Sequence, residues 1–332
     1  MKAEILKYFS LQFFVTNKTT DSGLSPENKT FYEKTLIDEA EPKLVYNKFG
    51  DKYPIPKNGG KSIEFRKFTA LPKAMTPISE GVTPEGNTLN VTTVTATVNQ
   101  YGDFIRITDI VDLTTIDNVM VQATKLLGSQ AGRTLDSITR DILMGGTNVL
   151  YAGEKLSRAT LTMNDKLDVD LFNQAAAILE AQNADYIEDS YVAIIHPYAK
   201  YDLISSEGWI DVHKYADPTA IYKGEIGKLG NIRFIASTEA KVWKDETCPS
   251  DGNDGHYAVF GTLVIGAHAY GVTDIEGGGL EQIIKPLGSG EDPLNQRASS
   301  GWKATATAER LVEPYMLRIE SLSKYSSRVQ AN

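Results

Sequence analysis

The chain of 332 residues has few of the residue types that usually carry chemistry. Cys248 is its one cysteine, so no disulfide can form within the chain and a thiolate metal site has no second cysteine. None of its four histidines stands in the H-E-x-x-H spacing of a zinc hydrolase. No stretch approaches the ~18 consecutive apolar residues of a membrane-spanning helix. The sequence therefore predicts no disulfide, no metal site and no transmembrane segment.

An excess of basic charge is also missing. The chain carries 34 Lys and Arg against 43 Asp and Glu, which gives a net charge of −9. A dedicated nucleic-acid-binding protein usually presents a basic face, so the acidic balance argues against that class. Local basic patches remain, for example around Lys57, Lys61, Arg66, Lys67 and Lys73. With 41% hydrophobic and 23% charged residues, the composition is that of a globular protein with one large domain or two ordinary ones.

Two patterns resemble catalytic or nucleotide-binding motifs but do not meet their spacing. Gly60-Lys61-Ser62 looks like the end of a phosphate-binding loop, but Ile55 stands where that motif needs its first glycine. His196 follows an apolar segment and could act as a base only beside a nucleophile, which the sequence does not identify. We therefore expect no catalytic residue and no cofactor, and we interpret His196 as structural.

The N-terminal third is predicted to contain an arm, a hairpin and a long tip. Residues 1–52 form the arm, with a helix that begins at Ser25-Pro26. Ser62–Phe65 and Leu89–Val98 have the alternation and the Thr and Val content of strands. Between them the tip, Ala70–Asn87, is longer than most loops inside a compact domain. Its length leaves two interpretations open, a disordered surface loop or a functional loop.

The rest of the chain is predicted to mix helices and strands. One long helix is expected from Asp112 to Met144, with a candidate bend near Gly128–Gly132 and a stop at Gly145-Gly146. A short strand at Phe104–Thr108 precedes it. Further downstream the pattern predicts a helix at Asp168–Ala184 and strands at Tyr191–Ile195, Ile232–Ala236, Tyr257–Phe260, Thr262–Gly266 and Tyr315–Ser321.

Three segments in the C-terminal half carry a family resemblance. They are Tyr222–Thr238 (YKGEIGKLGNIRFIAST), Asp292–Lys303 (DPLNQRASSGWK) and Arg310–Ser321 (RLVEPYMLRIES). In this order they resemble the coat proteins of tailed phages, in particular the N4-like major capsid family. In that family a G-E-I-G-x-L-G-N-x-R-F-I segment precedes a D-P-L-N-Q-R…G-W-K stretch. The resemblance covers the chain from about Tyr53 onward.

The resemblance implies an α+β chain with the HK97-like phage capsid fold. It implies an N-terminal arm at 1–52, an extended E-loop hairpin at 53–103 and a P-domain with a long spine helix at 104–160. An A-domain at 161–280 follows, and 281–332 returns to the P-domain and adds a C-terminal strand. Residues expected at subunit interfaces are Lys61, Arg66, Lys67, Lys73, Glu80, Glu85, Arg297 and Trp302.

The implied function is that of a major capsid protein, which self-assembles through hexamers and pentamers into an icosahedral shell around a phage double-stranded DNA genome. Implied partners are further copies of the chain, a scaffolding protein, a portal and a decoration protein, with weak non-specific contact to packaged DNA and none to a membrane. The place of function is the virion capsid, assembled in the host cytoplasm. Three alternatives stay open: a nanocompartment shell of the encapsulin type, a soluble α/β enzyme that uses His196, and a phage tail or decoration protein.

Overall fold

The structure is a computed structural model that describes Leu36 and residues 44–68, 71–75, 77, 80–81, 83, 86–115, 119–206, 209, 225–252, 255–288 and 292–332. The predicted helix after Ser25 lies outside these residues. The chain divides into two compact units. The smaller unit contains Gln100–Gly132 and Gly278–Ala304, and the larger one contains Leu44–Asn99, Arg133–Gly277 and Thr305–Asn332.

The described strands and helices are as follows in chain order. The strands are β1 (Asp51–Lys52), β2 (Ser62–Phe68), β3 (Val91–Thr97), β4 (Asn99–Thr108), β5 (Val149–Tyr151), β6 (Tyr191–Ile195), β7 (Glu225–Leu229), β8 (Ile232–Ala236), β9 (Val242–Trp243), β10 (Val259–Ile265), β11 (Tyr270–Thr273), β12 (Glu281–Lys285), β13 (Arg297–Arg310) and β14 (Met316–Ser321). The α-helices are α1 (Asp109–Thr114), α2 (Val119–Met144), α3 (Val169–Ala181) and α4 (Pro197–Ile204).

A mixed sheet forms the centre of the larger unit. Its strands lie in the order β5-β14-β10-β6-β8-β7, and β9 pairs with β10. All five residues of β6 are buried, because Tyr191, Ala193 and Ile195 face one apolar cluster and Val192 and Ile194 face another. This explains why the strand is continuously apolar instead of alternating.

Helix α3 covers one side of this sheet. Its N-cap is Asp168, whose carboxylate accepts the backbone N–H of Leu171 at 2.9 Å. Leu171, Phe172 and Leu179 are buried in the cluster that also contains Tyr191, Ala193 and Ile195 of β6. The predicted amphipathic helix at Asp168–Ala184 is therefore confirmed, although it ends at Ala181 and not at Ala184.

The prediction of one helix from Asp112 to Met144 is wrong at its start. Helix α1 ends at Thr114, and Thr115 has extended backbone angles. The hydroxyls of Thr114 and Thr115 bond back to the carbonyls of Ile110 and Val111, a local arrangement that competes with helix continuation. Helix α2 then runs from Val119 to Met144 and passes through both Gly128 and Gly132.

Two further strand predictions need correction. Tyr257–Phe260 and Thr262–Gly266 are not separate strands, because β10 is continuous from Val259 to Ile265. Gly261 in its middle lies under Trp243, where a Cβ would come within 2.6 Å of the indole ring. The short strand predicted at Phe104–Thr108 is the end of β4, which begins at Asn99. The strands at Tyr191–Ile195 and Ile232–Ala236 are confirmed with their predicted bounds.

The smaller unit contains most of β4, all of β12 and the first part of β13. Residues Glu281 to Lys285 of β12 pair antiparallel with Lys303 to Ser299 of β13, and β4 also pairs with β13. Inside this unit the side-chain amide of Gln282 donates to the hydroxyl of Thr124 at 3.1 Å. In the larger unit the second part of β13 pairs antiparallel with β11.

Candidate subunit-contact elements

The strands predicted at Ser62–Phe65 and Leu89–Val98 are present in the larger unit as β2 and β3. These strands pair antiparallel through seven residue pairs, from Ser62 with Thr97 to Phe68 with Val91. At the base the Val98 N–H donates to the Lys61 carbonyl at 2.8 Å. Among the residues that the structure describes, no third strand joins this pair. Two-stranded hairpins are marginally stable in water, so this element gains from contact with another surface.

A groove of about 430 Å³ lies beside the hairpin, within the larger unit. Its lining includes Phe65, whose ring meets that of Tyr53 edge-to-face at 5.1 Å between centroids. His268 and Asp51 also line it, and the Nδ1 atom of His268 lies 2.8 Å from an oxygen of Asp51. That hydrogen bond, aided by the negative charge of Asp51, raises the pKa of His268.

The D-P-L-N-Q-R segment folds into a turn organised by one aspartate. The two oxygens of the Asp292 side chain accept the N–H groups of Leu294 at 3.3 Å and Gln296 at 2.9 Å. Its carbonyl accepts the N–H of Asn295, which has a left-handed φ of 53°. The Gln296 carbonyl then accepts the N–H of Asp109, the first residue of α1, at 3.0 Å. The polar residues of this segment thus define backbone shape.

The G-W-K segment permits close packing of β13 against β4. A Cβ on Gly301 would lie 2.7 Å from the Cβ of Phe104, and one on Gly102 would lie 2.6 Å from the carbonyl oxygen of Trp302. The Trp302 ring is buried, with its Nε1–H donating to the side-chain oxygen of Gln130 at 3.2 Å. Only glycine fits at both crossing points without a backbone shift.

The part of the Tyr222–Thr238 segment that the structure describes begins at Glu225 and contains the β7–β8 hairpin. Gly230 begins the connection with a left-handed φ of 54°, and Gly227 has a φ of 147° where the strand register shifts. In β8, Ile232 and Phe234 are buried in the core of the larger unit. Gly227 and Gly230 therefore serve bulge and turn geometry, and Ile232 and Phe234 serve the core.

The last family-like segment, Arg310–Ser321, contains β14, and two of its residues belong to a buried ionic cluster. Glu320 is fully buried, and both of its oxygens accept from Arg158, at 2.7 Å from Nε and 2.8 Å from Nη2. Arg318 lies 2.8 Å from the same carboxylate, and the Arg158 guanidinium stacks 4.0 Å from the centre of the Trp243 ring. Burial alone would lower the pKa of Arg158, but the contacts with Glu320 raise it. Sequence reasoning missed this cluster, because its partners are 162 positions apart.

A second buried charge, Asp136 on α2, also escaped sequence reasoning. Its side chain is fully buried in the larger unit, and one oxygen accepts the Tyr46 N–H at 2.7 Å. Burial raises its pKa to about 7, although hydrogen bonds from the backbone of Tyr46, Val45 and Asn47 pull in the opposite direction. The carboxylate therefore ties the segment that precedes β1 to the long helix.

The predicted interface residues are spread over both units. Lys61, Arg66, Lys73 and Glu80 are exposed in the larger unit, and Arg297 is exposed in the smaller one. The side chain of Lys67 and the residue Glu85 lie outside the described part. Trp302 is 4% exposed in a single copy, so its ring can meet a neighbour only if the covering residues move. The interface assignment itself stays a prediction for all eight residues.

The histidines occupy structural or surface positions where the structure describes them. His196 caps α4, accepting the Tyr198 N–H on Nδ1 at 3.2 Å, and burial lowers its pKa to about 4. No group of three or more His, Cys, Asp or Glu side chains among the described residues could hold a metal ion. None of the described helices has the length and apolar character needed to cross a bilayer.

Several solved structures of phage capsids have a similar fold. The capsid of Ralstonia phage GP4 matches with a TM-score of 0.63 and 17% identity, over 84% of this chain and 88% of that one. The capsid of the cyanophage P-SCSP1u matches at 0.62 and 15% identity, over 85% and 89%. The cyanophage Pam1 capsid matches at 0.62 and 12%, over 86% and 92%. The mixed helix and strand arrangement is thus the HK97-like capsid fold, as the family resemblance implied.

Residues 91–314 match the family described as phage capsid protein, so the chain belongs to that family. No curated protein matches the sequence. Family and fold together make this a major capsid protein of the phage shell, and they favour that function over the nanocompartment, enzyme and tail alternatives. The N4-like subfamily remains a resemblance.

Proposed function

We propose that this chain works by assembly alone, without turnover of a substrate, and that the β2–β3 hairpin is its E-loop. The observation that carries the proposal is a two-stranded hairpin with exposed charged side chains and no third strand among the described residues. Contact with a neighbouring copy would cover such an element and supply the burial that it lacks. The implied arm, spine-helix and A-domain boundaries belong to the same proposal.

Charge should make this assembly sensitive to salt. Lys61, Arg66, Lys73 and Glu80 are exposed on or near the hairpin, so contacts that they form lie at a solvated rim. At physiological ionic strength the Debye length is about 8 Å, which screens such contacts strongly. Each contact is weak by itself, but closed symmetry repeats it many times in one particle.

The proposed partners follow from the same role. Further copies of the chain form hexamers and pentamers, and a scaffolding protein, a portal and a decoration protein complete the particle. The net charge of −9 favours only weak, non-specific contact with packaged DNA. Assembly takes place in the host cytoplasm.

The test is light scattering of the purified chain across salt and protein concentration, with negative-stain microscopy of the fractions. We expect closed particles or capsomer rings, with or without a co-expressed scaffold, whose yield changes with ionic strength. A strictly monomeric chain under every condition, scaffold included, would refute the proposal.

A further inference from the structure

Exposed apolar side chains lie on two adjoining segments of the smaller unit, α1 and the Asp292 turn. On α1, Leu113 is 84% exposed and Ile110 is 65% exposed, and Leu294 in the Asp292 turn is 73% exposed. The hydrogen bond from the Asp109 N–H to the Gln296 carbonyl joins the start of α1 to this turn. Single exposed apolar residues are ordinary, but a group on two adjoining segments marks an interaction surface.

Hydrogen bonds within the turn fix the backbone that carries the exposed side chain of Leu294. Asp292 accepts three N–H groups from the next four residues, and Asn295 takes the left-handed conformation that closes the turn. A side chain presented by such a rigid turn loses little conformational freedom when a partner covers it. Leu294 therefore has the properties of a preorganised anchor.

We propose that the surface formed by Ile110, Leu113 and Leu294, here called the Leu294 surface, binds a second copy of this chain. Charged residues of both signs are close to it in the sequence: Arg106 and Arg297 are exposed, and Asp109 and Asp292 are half-buried. Charge of both signs suits a copy of the same chain better than a strongly acidic or basic partner. The inference rests on the proposed function, because it assigns a contact within the shell.

Arg297, which the sequence analysis predicts at an interface, would take part in this contact. It is the first residue of β13 and follows Gln296, whose carbonyl binds α1. Its guanidinium can pair with a carboxylate of the neighbouring copy, while Leu294 supplies the apolar contact. Apolar anchors inside a polar border are the usual composition of protein interfaces.

Thiol labelling can test the surface in the intact chain. Cys248 is 3% exposed and is the one native cysteine, so Leu294→Cys introduces a single accessible thiol. Leu156→Cys is the matched control, since Leu156 is 94% exposed in the larger unit and lies outside the surface. We expect a maleimide to react with position 294 about tenfold more slowly in particles than in free subunits, because the thiol is reached only when the contact opens. Position 156 should react at the same rate in both.

The outcomes separate this inference from the proposed function. Particles in which position 294 reacts as fast as in free subunits would overturn the inference alone, and equal protection at 156 and 294 would overturn its specificity. Absence of particles from the unmodified chain would overturn the proposed function and the inference with it.

As a second variant, Leu294→Asp should leave the unfolding midpoint of the free subunit unchanged and raise the concentration needed for assembly about tenfold or more, since a carboxylate is costly to bury. Unchanged assembly by that variant would also refute the inference.

Discussion

The buried carboxylate of Asp136 makes the stability of the subunit depend on pH, and Asp136→Asn should remove that dependence. The carboxylate is fully buried, and burial raises its pKa from 3.8 to about 7. Asparagine keeps a side-chain oxygen that can still accept the Tyr46 N–H, which the carboxylate accepts at 2.7 Å. It cannot ionise, so the variant isolates the effect of the charge.

The direction of this pH dependence follows from the pKa of Asp136 in the unfolded and in the folded chain. The folded state binds the proton of Asp136 more tightly than the unfolded chain, so this group stabilises the fold fully below pH 3.8. The stabilisation is lost as pH rises through about 7. Between pH 5 and pH 8 the loss in the free energy of unfolding is about 3 kcal/mol, from 1.36 kcal/mol per pKa unit.

Urea unfolding of the unassembled subunit at pH 5, 6, 7 and 8 measures this. The wild type minus Asp136→Asn difference should change by about 3 kcal/mol across the range, because contributions from other groups cancel in the difference. Asp141→Asn, on the same helix at a half-exposed position, is the control and should keep the wild-type slope. Parallel wild-type and Asp136→Asn curves, within about 0.5 kcal/mol, would refute the reasoning.

Three further substitutions test the packing. Gly301→Ala should cost about 1–3 kcal/mol, because its Cβ would meet Phe104, whereas Gly279→Ala has open space; equal urea midpoints would contradict this. Arg158→Met leaves Glu320 without its bidentate partner and should lower the free energy of unfolding by about 3–5 kcal/mol. The surface control Arg133→Met should lower it by about 1 kcal/mol or less. A small effect of Arg158→Met in urea unfolding would show that Arg318 alone compensates the buried charge of Glu320. Leu135→Asp buries a charge at a 7% exposed position and should cost at least about 3 kcal/mol, so a normal thermal midpoint would refute its burial.

Local patterns were enough to predict several elements. The apolar run Tyr191–Ile195 and the strand Ile232–Ala236 have their predicted bounds, and Gly145-Gly146 follows the end of α2 at Met144. In these segments the intrinsic preference of the residues agrees with the tertiary environment, so short-range reasoning succeeds.

Other features depend on partners far away in the chain. Strand β13 has 14 residues, with Ser, Gly and Lys among them, and it becomes a strand through pairing with β4, β11 and β12. Predicting the end of α1 before Thr115 would require knowing that two threonine hydroxyls bond back to backbone carbonyls. Asp136 and Glu320 look like surface acids in the sequence, because nothing adjacent to them shows that Tyr46 and Arg158 meet them in the core.

The family-like segments show why fold was easier to predict than interface. Gly301 and Gly230 supply backbone conformations or clearances, Asp292 organises a turn, and Phe234 fills the core. Each of these roles is complete within one copy of the chain, so a resemblance in such residues reports the fold directly. Leu294 is different, because the same turn that shapes the backbone leaves its side chain 73% exposed. An apolar side chain that a rigid turn holds in water is destabilised relative to burial, and assembly relieves that cost. The residues to test first for assembly are therefore those whose backbone is organised by the motif but whose side chain points away from it.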